Sequence, residues 1–186
     1  SQNEADLFRT HIPGIAVQVI ENGVDVEYFA SVPRKPEGLK IIFVGVMDYT
    51  PNVEAVSFFA TKVWGNIRAA YPHARFVIVG SRPSKKVRDL AKIPGVEVTG
   101  YVPDIRTYLS SATISIAPLA IARGVQNKIL EAMAAGVPVM TTPTVARGLP
   151  AGAEQLVFTA ERETQPFASR LLELLKDGIA RDEKAQ

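Results

Sequence analysis

GVQNKILEAMAAGVPV, residues Gly124 to Val139, places a lysine and a glutamate at the start of a helix that runs directly into an apolar strand. Open α/β sheets bind ligands outside the carboxyl ends of their strands. A helix N-terminus there offers unpaired N–H groups and a positive dipole end to an anion. Lys128 can add a charge, and Glu131, three residues on and so on the same face, can accept two hydroxyls at once. A pyrophosphate with a ribose attached fits that arrangement. Taken alone, the pair could equally be an ordinary ion pair worth roughly 0.2–0.5 kcal/mol on a solvated face, with the alanines merely good helix formers.

The surroundings favour the ligand reading. The segment follows the strand-like run Thr113 to Ala117 and a loop broken by Pro118 and Gly124. Gly136 stands where a helix-ending left-handed residue belongs, before a strand over 137–142. Upstream, strand-like runs at 39–45, 75–80 and 96–99 alternate with helical stretches, the pattern of a parallel sheet covered on both faces. Thr50 and Pro51 supply an N-cap and a first-turn proline, Val53, Val56, Ala60, Val63 and Ile67 mark one helical face, and Pro72 closes that helix. Short helices follow near Ser84 to Ala91 and after Asp104, which can cap the second. Gln155 to Phe158 reads as the last strand. The final helix sets Phe167, Leu171, Leu174 and Leu175 on one side, and Asp177-Gly178 ends its apolar face. Ile15 to Ile20 reads as a further strand before the turn Glu21-Asn22-Gly23. The expected fold is therefore α/β, a Rossmann-like doubly wound parallel sheet of about six strands with helices on both faces.

Composition narrows the function. A chain of 186 residues with 47% hydrophobic residues is the size of one domain with a sizeable core. With no cysteine and only His11 and His73, neither a thiolate nor a histidine metal cluster is expected. A net charge of +2 does not argue for nucleic acid. The densest basic cluster, Arg82, Lys85, Lys86 and Arg88, reads as a solvated helix face, with membrane-surface contact as a minor alternative. No apolar run reaches the ~20 residues of a membrane span, and no signal peptide is recognisable, so the expected location is cytoplasmic.

These passages resemble the C-terminal, donor-binding half of a GT-B glycosyltransferase of family 4, the retaining, metal-independent class. The resemblance rests on Val17-Gln-Val-Ile-Glu-Asn-Gly-Val-Asp25 with Phe29, Phe43-Val-Gly45 with Pro51-Asn52, Phe76 to Gly80, Val98-Thr-Gly-Tyr-Val-Pro-Asp104 and Lys128 to Val139, in the family's order and spacing. MDYTPN and IARGVQNKILEAMAAG further resemble sugar transferases associated with bacterial exosortase (PEP-CTERM) and exopolysaccharide loci. The resemblance implies that residues 1–30 are a linker leading into the domain, 31–178 the nucleotide-sugar-binding domain and 179–186 a charged tail. The acceptor domain would lie outside this chain, which alone would bind donor without transferring sugar. It implies that Glu131 holds the ribose hydroxyls, that the loop at Gly124 and Val125 meets the diphosphate through backbone N–H groups, and that Tyr101 and Val102 lie in the segment recognising the base. Gly45 and Gly80 sit at strand ends where backbone must come near the ligand, though a tight turn without ligand contact would explain either.

Two departures stand out. Arg123 occupies the place, eight positions before Glu131, where the family usually has another glutamate, so that role does not carry over. The loop Val46 to Thr50 lacks the cations that many members place there, leaving Lys128 and Arg123 as candidates for the missing charge. The expected partners are a UDP- or GDP-linked sugar and, through the absent domain, a glycan or lipid-linked acceptor. The full-length protein would work in the cytoplasm or at the inner face of the membrane, with no cofactor and no metal. Alternatives are a nucleotide-sugar 2-epimerase-like GT-B half and a degenerate, non-catalytic nucleotide-binding domain. A nicotinamide domain lacks its G-x-G-x-x-G after the first strand, and a receiver domain lacks acidic partners for Asp48.

Overall fold

The computed structural model describes residues 2–20, 22–121 and 124–177. Its centre is a sheet of six strands: β1 (Lys40–Val44), β2 (Arg75–Val79), β3 (Val96–Gly100), β4 (Ile114–Ala117), β5 (Val139–Thr141) and β6 (Phe158–Thr159). They hydrogen-bond in the order β3-β2-β1-β4-β5-β6, every pair parallel. This is the doubly wound order, with its switch point between β1 and β4. All five residues of β1 and all four of β4 are buried. Successive strand side chains point to opposite faces, so both sides of these central strands are covered, as their largely apolar runs predict.

The helices are α1 (Gln2–His11), α2 (Val26–Ala30), α3 (Thr50–Phe58), α4 (Trp64–Ala70), α5 (Lys85–Leu90), α6 (Arg106–Ser110), α7 (Asn127–Ala134), α8 (Pro143–Ala146) and α9 (Thr164–Lys176). A π-helical turn, Phe59–Val63, joins α3 to α4. Val56, Ala60, Val63 and Ile67 are buried on the expected face, and the wider turn seats Phe59 against Phe76, ring centroids 4.6 Å apart. Ser84 caps α5 by accepting from the Val87 N–H. Asp104 accepts from the Arg106 N–H at 2.9 Å, while Ile105 holds the cap position of α6 itself. Gly136, at φ 68°, ends α7 and lets the chain turn into β5. Phe167, Leu171 and Leu174 bury one side of α9.

Several expected boundaries shift. Residues 15–20 form no strand. Ile20 is 87% exposed, the Val17 carbonyl accepts from Arg9 at 2.7 Å, and among the described residues no neighbouring strand supplies the ladder that the apolar alternation alone cannot. The last strand begins at Phe158, because Ala153–Leu156 winds into a 3₁₀ turn. Tyr49, not Thr50, is the N-cap residue of α3 and makes no side-chain cap bond. The proposed end at Gly178 and the tail 179–186 lie outside the described residues. Among the described residues no helix is long and apolar enough to cross a membrane.

Candidate functional site

A cleft of about 620 Å³ opens at the carboxyl ends of β1, β2 and β3 and is walled on its far side by the start of α7. It straddles the topological switch point, where the flanking connections diverge and leave room for a ligand. Gly45, Gly80, Tyr101, Val102, Lys128 and Glu131, singled out from sequence, all line it. Gly124 and Val125 precede this wall and are not part of the lining, where Gln126 and Asn127 stand instead. Gly124 adopts φ 67°, turning the chain into α7. Arg123 lies outside the described residues.

The two glycines are needed by each other before any ligand arrives. A Cβ on Gly80 would lie 1.6 Å from the Gly45 carbonyl oxygen, so the β1 and β2 ends can meet only if this side chain is missing. A Cβ on Gly45 would come within 2.7 Å of the Asn52 side-chain amide and 3.3 Å of Lys128 Nζ. Bare backbone at Gly45 thus makes room for the side chains that enter from α3 and α7.

Asn52 is buried in the first turn of α3. Its Nδ2 donates to the Val46 carbonyl at 2.9 Å, which turns Oδ1 towards Lys128, whose Nζ donates to it. The ammonium also lies 4.7 Å from the centre of the Phe43 ring. Asn52 was not singled out as a site residue from the sequence; only the fold brings it to Lys128. Burial holds the Lys128 pKa down to about 8, an effect that the Glu131 carboxylate opposes. Burial likewise raises the Glu131 pKa, opposed by Lys128. Among the described residues no hydrogen bond reaches the Glu131 carboxylate, so both oxygens are open to hydroxyl donors.

The N-cap residue of α7, Gln126, makes no side-chain cap bond, and the first turn carries no acid. The positive end of the helix therefore stands beside Lys128. Asn22 donates to Asn127 Oδ1 at 3.0 Å, fixing the N-terminal segment against this helix. On the β3 side, Tyr101 is 77% exposed and presents its ring at the rim. Arg106 stacks 3.8 Å over Tyr28 and donates to Ser31 Oγ at 2.9 Å, tying α6 to the segment around α2. Hydrogen bonding from Arg106 lowers the Asp104 pKa. Arg82, which sequence grouped with a solvated basic cluster, also lines the cleft.

Chemically, the arrangement offers an anion-binding helix end, a semi-buried cation and a carboxylate suited to a pair of hydroxyls. Solved structures share the fold. The C-terminal domain of the glycosyl transferase group 1 protein LpcC from Francisella tularensis matches with TM-score 0.57 and 19% identity, covering 93% of each chain. A mutant of TarM from S. aureus, in complex with fondaparinux, alpha-GlcNAc-glycerol and UDP, matches with TM-score 0.73 and 12% identity over 100% of this chain and 38% of that one. HepE from Anabaena, in complex with UDP, matches with TM-score 0.64 and 16% identity over 90% and 50%. The chain thus spans half or less of the two longer proteins. No curated protein sequence matches it significantly. The sequence profile described as glycosyl transferases group 1 matches residues 38–177, a span that holds every residue of the cleft, and the chain therefore belongs to that family.

Proposed function

We propose that this chain is the donor-binding half of a retaining, metal-independent glycosyltransferase that uses a UDP- or GDP-linked sugar. The observation that carries this reading is the meeting of Lys128, Glu131 and the N-terminal end of α7 in one cleft at the switch point. When the glycosidic bond to the donor breaks, negative charge grows on the departing diphosphate. Fixed N–H dipoles and a positioned cation stabilise that charge without reorganising during the reaction. Lys128, oriented by Asn52, is the cation, and Glu131 accepts the ribose hydroxyls. Tyr101 and Val102 border the base. TarM and HepE, which share this fold, are solved in complex with UDP, and that supports a nucleotide as the ligand. The retaining outcome and independence of metal rest on the family resemblance.

The acceptor, a glycan or a lipid-linked sugar in cell-surface or exopolysaccharide synthesis, would bind a separate N-terminal domain. This chain alone binds donor and does not turn it over. Calorimetric titration with UDP, GDP and ADP in EDTA tests the reading. Saturable binding of one of them, weakened by Glu131→Ala in a protein that still melts cooperatively, is expected. Binding of none, or equal binding by the variant, would overturn it.

A further inference from the structure

A nucleoside diphosphate carries more than one negative charge, and Lys128 is a muted counterweight. Its pKa is held down by burial and its charge is partly answered by Glu131. The other cation that lines the cleft among the described residues is Arg82. It stands in the turn between β2 and α5 at φ 53°, the one non-glycine residue with positive φ among those described. An L side chain pays for that backbone with strain, and such strain persists where the surroundings enforce it, often at ligand sites. Here the enforcement is visible. The Met47 N–H donates to the Ser81 carbonyl at 2.9 Å and the Ser84 N–H to the Met47 carbonyl at 3.2 Å. These bonds clamp the Arg82 turn to the loop after Gly45, a loop with no cation of its own between Val46 and Thr50.

From that perch Arg82 Nε lies 2.9 Å from an Asp48 carboxylate oxygen, with both side chains substantially exposed, at 69% and 47%. An exposed pair of this kind holds weakly. A guanidinium, by contrast, can grip phosphate oxygens through two parallel N–H donors. We propose that Arg82 is a second phosphate-binding residue of this cleft, and that Asp48 is its partner in the empty state, displaced by the ligand's phosphates. The inference rests on the nucleotide reading of the cleft. It assigns a role to a side chain that local sequence places in a solvated cluster.

Arg82→Gly is the informative variant, because glycine accepts positive φ without strain and the fold should melt no lower than wild type. Titrations compare UDP, GDP or ADP, whichever wild type binds, with the matching nucleoside. The expected result is a loss of about tenfold in diphosphate affinity in Arg82→Gly, with nucleoside affinity changed less than about twofold. Asp48→Asn should tighten the diphosphate by about twofold, since the competing partner is gone. Unchanged diphosphate affinity in Arg82→Gly, or an equal loss for the nucleoside, overturns the assignment while leaving the nucleotide reading intact. Weaker binding by Asp48→Asn overturns the displacement. If wild type binds no diphosphate, the nucleotide reading fails and this inference fails with it.

Discussion

The two walls of the cleft are built on different principles. The β1–β2 wall is made by what is missing: Gly80 has no Cβ because the Gly45 carbonyl occupies its space. The α7 wall is made by what is present: Lys128 and Glu131 hold charge in partly desolvated positions where their pKa values shift towards the neutral forms. The first wall is a condition of folding that, on the proposed reading, also brings backbone to the ligand. The second opposes folding, and on the proposed reading it serves binding. Substitutions should therefore separate them, the glycine wall failing in stability and the α7 wall in affinity.

The largest expected effect is Gly80→Ala. With backbone as the obstacle and no flexible end to yield, the β1 and β2 ends must part, destabilising the domain by about 3 kcal/mol or more in urea unfolding. Stability within about 1 kcal/mol of wild type would mean the close approach is not fixed. Gly45→Ala should cost less, since it meets side chains of Asn52 and Lys128 that can move.

Next, Glu131→Ala should weaken the nucleotide by about 30-fold with no loss of melting temperature, because the carboxylate has no hydrogen bond to lose among the described residues. A large drop in melting temperature would make Glu131 a structural residue and erase the contrast.

Lys128→Met sharpens the comparison through pH. The folded pKa, about 8, lies below the ordinary lysine value of 10.5. Between those values the unfolded chain binds more protons, so wild-type stability rises with pH across that window, by about 3 kcal/mol in total if burial is not relieved. Lys128→Met should remove that rise and be the more stable protein at pH 7. Diphosphate favours the charged ammonium, so wild-type affinity should be flat from about pH 7, where the terminal phosphate is ionised, to about pH 8 and fall above it. The variant should bind about tenfold more weakly at pH 7 and lose that fall. A wild-type affinity independent of pH up to 10 would remove Lys128 from the diphosphate. The smallest effect expected is Asn52→Ala, about threefold in affinity, since it releases Lys128 without discharging it.

The contrast also explains what the sequence could reveal. Runs such as Ile41 to Val44 and Phe76 to Val79 are legible because a strand buried on both faces is apolar along its length. The α7 wall was legible because its residues are neighbours in one helix. Ile15 to Ile20 misled because alternation reports a half-buried strand only when another strand is there to pair with it. Asn52 was obscured by distance, being 76 residues from the lysine it orients. Arg82 was obscured by its neighbours, since Lys85, Lys86 and Arg88 make it look like one more solvated charge. Its positive φ and its clamp to the β1 loop are properties of the fold.

The most direct test of the central claim is to locate the nucleotide on the chain by ¹⁵N-resolved NMR during a titration with UDP or GDP in EDTA. The account predicts saturating shifts confined to the carboxyl-end cleft, around Gly45, Gly80, Tyr101 and the amides from Gln126 to Glu131. Shifts elsewhere, such as around Lys40 at the opposite end of β1, or no shifts with either nucleotide, would contradict it.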